Sequence, residues 1–106
     1  MSDTPTPEAI FASVQRSFAG RLDVKLTTGP DDAPLLKAAG ESFAMLYDGR
    51  LVVRLHPQRC AELVDAGKGS LLVLDGKELE DWVAVNGIDA AEWTAHTMEG
   101  LAWAKG

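Results

Sequence analysis

The sequence is poor in the features that mark specialised protein classes. Cys60 is the only cysteine in 106 residues, so no internal disulfide is available and no oxidising compartment is implied. There are two histidines, His56 and His96, too few with one cysteine to make up an ordinary zinc site. Apolar runs such as Leu71–Leu74 are far below the ~20 residues of a membrane span. Met1–Pro7 has neither the basic nor the apolar stretch of a signal peptide, so a cytoplasmic location is expected. The patterns GxGxxG, GxxxxGKS/T and GxSxG do not occur, which removes the usual nucleotide-binding and hydrolase signatures. Cations are scarce: 10 Lys and Arg stand against 16 Asp and Glu, giving a net charge of -6 and a pI near 4.7. Such a field repels nucleic-acid phosphates and anionic membranes at long range.

What is present is the composition of one folded domain, 46% hydrophobic and 25% charged. A loose tail is expected at 1–6 and a single domain at 7–106. Thr6-Pro7-Glu8 reads as a helix start, with Thr as N-cap and Pro in the first turn. Ile10, Phe11, Val14 and Phe18 follow at helical spacing, and Gly20 stands where a terminating glycine belongs. Leu22, Val24 and Leu26 alternate with polar residues as a half-buried strand. A breaker-rich loop over 28–34 leads to a strand at 35–38, and Ala39-Gly40 turns the chain into a strand at 42–47. Asp48-Gly49 is a type I′ hairpin signal, and residues 50–55 return.

His56-Pro57 opens a second helix, which Gly67 closes, with Cys60, Leu63 and Val64 as its apolar stripe. Short strands are expected at 71–74 and 82–85, with an Asp75-Gly76 turn between them. Asp89 and Glu92 form a capping box for a last helix whose apolar face is Trp93, Thr97, Leu101 and Ala104. The sum is an α+β two-layer sandwich in the order α-β4-α-β(β)-α, helices packed on an antiparallel meander of about five strands.

The two-residue turn pairs Tyr47 with Arg50, Met45 with Val52 and Phe43 with Arg54 on one sheet face. Leu46, Leu51, Ala44, Val53 and Leu55 share the other, so both faces are apolar. The face with Phe43, Met45, Tyr47, Arg50, Val52 and Arg54 is the candidate binding face. Aromatic residues beside arginines suit base stacking and phosphate contact. They equally suit a protein interface or a homodimer. A plain core face with arginines at its rim gives the same pattern.

Candidate chemistry is sparse. Cys60 in the first turn of its helix, with His56 four residues earlier, has the spacing of a nucleophile and its base or of two metal ligands. A third partner is missing from the pattern, so Cys60 reads as a small buried hydrophobe and no metal or catalytic group is expected. Asp75, Glu78, Glu80 and Asp81 read as a solvated hairpin rather than paired acid catalysts. Trp82 and Trp93 read as core anchors and Trp103 as half exposed. No cofactor is expected.

Phe43-Ala44-Met45-Leu46, Asp48-Gly49-Arg50-Leu51-Val52-Val53-Arg54-Leu55, the helix from Arg59 to the glycines Gly67 and Gly69, Asp81-Trp82-Val83-Ala84-Val85 and Trp93 together resemble the TfoX N-terminal-domain and YjbR-like group of small bacterial proteins. The match covers about residues 35–104. It departs where the family carries a Met-Phe-Gly segment and a glycine-rich turn with a lysine. Leu26-Thr27-Thr28-Gly29 and Ala39-Gly40-Glu41 stand there instead. The chain is also expected to lack the TfoX C-terminal domain. The resemblance implies a non-enzymatic bacterial regulatory domain with nucleic acid as a candidate partner, and it supplies no catalytic residues. A protein-interaction or homodimerisation module, with no nucleic-acid binding, is the alternative.

Overall fold

The computed structural model describes residues 6–21, 23–29, 32–47, 49–87 and 89–105. Residues 1–5 of the tail expected at 1–6, Leu22 of the first strand and Asp48 of the hairpin turn lie outside the described residues. The order is α1 (Pro7–Phe18), β1 (Val24–Thr28), β2 (Pro34–Ala38), β3 (Glu41–Tyr47), β4 (Arg50–Arg54), α2 (Pro57–Asp65), β5 (Gly69–Leu74), β6 (Lys77–Val85) and α3 (Ala90–Lys105). The strands form one antiparallel sheet in the order β1-β2-β3-β4-β6-β5. Fold class and element order are therefore as the sequence implies.

The helix starts follow from their capping chemistry. Thr6 Oγ1 accepts from the Ala9 N–H at 3.1 Å, His56 Nδ1 from Gln58 at 3.1 Å, and Asp89 Oδ1 from Glu92 at 3.1 Å. Helix α1 ends through Ala19 in right-handed conformation, its N–H donating to the Arg16 carbonyl, so Gly20 supplies no left-handed cap. Ile10, Phe11, Val14 and Phe18 are all buried, whereas Val64 of α2 is exposed and leaves Cys60 and Leu63 as that helix's buried residues.

One large cluster gathers the buried faces of all three helices against Leu36, Leu46, Leu51, Val53, Leu55, Val83 and Val85 of the sheet. Each fully buried aliphatic or aromatic side chain there contributes about 1.5–3 kcal/mol of transfer free energy. The helical layer thus sits on a single face.

The opposite face is closed by the chain itself. Leu35, Met45 and Val52 cluster there with Leu72 and Ala84, bordered by Tyr47, Leu74, Leu79 and Trp82. The β5–β6 ladder steps from Leu71↔Val83 to Leu72↔Leu79, so Glu80, Asp81 and Trp82 have no partner in β5. This three-residue bulge bends the hairpin, and its tip reaches across the face: Val73 of β5 lines one hollow with Pro34 of β2 and Tyr47 of β3. The sheet has six strands because the optional short strand at 71–74 forms as β5, and β6 starts at Lys77, not near Trp82. Lys77–Asp81 carries one apolar residue and reads as a loop, yet Asp75 (φ 53°) and Gly76 (φ 77°) form a left-handed two-residue turn that pairs Leu74 with Lys77.

Gly100 lets α3 lie close on the sheet. A Cβ there would stand 2.9 Å from the Phe43 carbonyl oxygen and 3.3 Å from that of Arg54. Gly100→Ala is expected to lower stability by about 1–3 kcal/mol despite its gain in helix propensity, read as a lower urea midpoint. An unchanged or higher midpoint would show that α3 is free to lift.

Candidate functional site

The residues of the expected binding face take three different positions. Phe43 leaves it. The β2–β3 register passes from Leu36↔Ala44 to Lys37↔Ser42, and the skipped Phe43 turns to the helical layer, its ring edge-on to Phe18 at 6.3 Å. Met45 and Val52 keep the expected pairing, but they are 2% and 0% exposed beneath the β5–β6 hairpin. Tyr47, Arg50 and Arg54 are half-buried at the rim.

Both arginines are occupied by the fold. Arg50 Nη2 donates to Asn86 Oδ1 at 2.7 Å, the Ala84 carbonyl at 3.2 Å and Ser70 Oγ at 3.3 Å, tying β4 to β5 and to the end of β6. Arg54 Nε donates to Asp81 at 2.9 Å and Nη1 to Glu41 at 2.8 Å, and its guanidinium carbon lies 4.6 Å from the Trp103 ring centroid. Burial acts to lower the Arg54 pKa, but the hydrogen bonds and charges of Asp81 and Glu41 outweigh it, holding the cation above its ordinary value. These groups are fold staples, not free donors to a phosphate.

The cysteine and histidines are not assembled into a catalytic group. Cys60 is fully buried, and burial pushes its thiol pKa up against a 3.7 Å contact from Sγ to the Leu55 carbonyl. His56 spends Nδ1 on the α2 cap. His96 lies on α3 with a buried Nδ1 that has no partner among the described residues. Among the described residues no three His, Cys, Asp or Glu side chains stand together as metal ligands. Asp75, Glu78 and Glu80 are exposed, and Asp81 belongs to Arg54. Trp93 is a buried anchor whose Nε1 donates to the Gly87 carbonyl at 3.2 Å; Trp82 and Trp103 are half-buried.

Surface with unspent interactions lies at β1, which the sequence reading did not single out. Val24 is buried, but Leu26, expected to be half-buried beside it, is 50% exposed because β1 is the end strand. Lys25 stands directly opposite Lys37, and neither side chain makes an ion pair or hydrogen bond with a described residue. Together with Lys105 they line a cleft of about 740 Å³. Lys105 is held at 2.7 Å by Asp23, which also takes Arg21 at 3.2 Å; these two cations bring the Asp23 carboxyl down to about 2. The signal for this site is the alternation Val24-Lys25-Leu26-Thr27 against Leu36-Lys37-Ala38. It is unreadable without the register, which the loop at 28–34 conceals.

Two measurements check this description. Ellman's reagent at pH 8 is expected to modify Cys60 only as fast as the protein unfolds; reaction within seconds would show an accessible thiolate. Burial lowers the His96 pKa, with Arg59 and Lys68 lowering it further and Glu99 and Glu92 opposing. The unfolded chain then takes up a proton before the folded one. Stability should fall as the pH drops below about 6.5 and level off once it passes the folded pKa. His96→Gln should shrink that fall between pH 7 and 5.5 in urea titrations, and an identical pH dependence in both proteins would contradict it.

Among known proteins, no family model, no curated protein and no solved structure matches the chain, so the TfoX/YjbR-like resemblance rests on the residues quoted for it.

Proposed function

We propose that the chain is a non-catalytic interaction domain of regulatory type, as the TfoX/YjbR-like resemblance implies, and that its partner is a protein bound at the β1 edge. The observation that carries this reading is the concentration of unspent groups there: an end strand, an exposed Leu26 and two lysines without counter-charges among the described residues. A cytoplasmic setting and the lack of a cofactor belong to the same reading. Nucleic acid is the weaker partner, because Arg50 and Arg54 are engaged within the fold and the net charge is -6. A homodimer built on Met45 and Val52 is disfavoured by their burial under the β5–β6 hairpin. Catalysis through Cys60 is disfavoured by its burial and by His56 serving as a cap.

The test has two arms. Labelled duplex and single-stranded DNA, titrated at about 50 and about 200 mM salt, are expected to show no salt-sensitive binding at micromolar protein. A photo-crosslinking residue at Thr27, introduced in cells of the source organism, is expected to give discrete protein adducts that the same residue at exposed Val73 does not. Salt-sensitive micromolar DNA binding, or the absence of Thr27 adducts, would overturn the reading.

A further inference from the structure

We propose that the β1 edge is a strand-addition site and that its occupant is an extended segment of a partner protein in which acidic and apolar residues alternate. This rests on the interaction reading and specifies the partner's chemistry.

Strand β1 ends the sheet, and among the described residues no strand lies beyond it. An end strand presents a row of N–H and C=O groups able to pair with a further strand. The two faces of that strand then read the added chain's alternate side chains.

One face is apolar. Val24 points into the helical core, and Leu26 shares its side of the strand. Leu26 lines a hollow of about 470 Å³ with Ala9, Ala12, Gln15, Arg16 and Ala19, and most of its exposed lining is apolar. The small alanine side chains leave this hollow open beside a half-exposed leucine. Apolar side chains of an added strand would fill it.

The other face is cationic. Lys25 and Lys37 are direct cross-strand neighbours, an arrangement that destabilises a sheet when nothing intervenes. A lysine on an end strand is a usual guard against edge-to-edge aggregation. That role accounts for Lys25 but not for Lys37, which lies on the second strand in. It also leaves exposed Leu26 unexplained. A carboxylate on an added strand, next to Lys25 and in the row that continues to Lys37, would supply the missing counter-charge.

A second copy of the chain fits less well. Antiparallel pairing of two β1 strands about Leu26 would bury both leucines. It would also set Lys25 and Lys37 of each copy on one continuous face with no carboxylate from β1, whose sequence is Val-Lys-Leu-Thr-Thr. Charge complementarity therefore selects an acidic partner strand.

The probe is a capped synthetic peptide, Glu-Val-Glu-Leu-Glu-Val-Glu, titrated into the isotope-labelled full chain and followed by amide NMR. Saturable shifts and slowed amide exchange are expected in Val24–Thr28, with β5 at the other end of the sheet unaffected. Lys25→Glu with Lys37→Glu should weaken binding by at least about tenfold and restore it for the peptide carrying Lys in place of Glu. Lys25→Glu alone, at an exposed position, serves if the double variant does not unfold cooperatively in urea. Lack of saturation at millimolar peptide, shifts centred elsewhere, or binding indifferent to charge reversal would overturn the proposal. If the peptide fails while Thr27 crosslinks persist, the strand chemistry is wrong and the interaction reading stands; if both fail, both are wrong.

Discussion

Between Leu71 and Leu72 the ladder joining β5 to β6 slips by three residues, and the closing of the sheet's second face depends on that slip. A six-stranded sheet with helices on one side would leave Leu35, Met45 and Val52 facing water. The bend at Glu80–Trp82 carries Leu72, Leu74 and Leu79 over them instead. The bend is pinned from the neighbouring strand: the Leu55 N–H donates to the Asp81 carbonyl at 3.0 Å, and Arg54 binds the Asp81 carboxylate. Arg54 also reaches Glu41 on β3 and Trp103 on α3, so one guanidinium links the bulge to both layers. A small domain with a thin core gains a second apolar cluster this way, without recruiting a partner to cover it.

That constraint explains what was and was not legible in the sequence. Element order, the Thr6 and Asp89 caps, the His56-Pro57 helix start and the pairing of Met45 with Val52 are local properties, set by turn chemistry and alternation, and all are found as the sequence implies. The length of β6 was hidden because Lys77–Asp81 looks like a solvated loop, and its strand character comes from pairing with β5. Phe43 lies on the face opposite to the one its alternation implies, because a bulge in a neighbouring ladder inverts a side chain without leaving a mark in the sequence.

The candidate site shows the same division. Arg50 and Arg54 stand at the two ends of β4, but their carboxylate, amide and carbonyl partners lie far off in the chain, so their structural role appears only in three dimensions. The reverse holds at β1. Lys25 and Lys37 look like ordinary surface lysines until the register sets them opposite each other. With the second face sealed and both arginines spent, the β1 edge is where an end strand, an exposed leucine and two facing lysines come together.

The chain's own hairpin, not a second molecule, covers the face of Met45 and Val52. Urea unfolding of Leu72→Ala beside the natural protein, each at two widely separated protein concentrations, tests it most directly. A loss of about 2–5 kcal/mol is expected in the variant, as for other buried leucines, with midpoints independent of concentration. A midpoint that rises with protein concentration and is insensitive to Leu72→Ala would contradict it, because the face would then be covered by another copy.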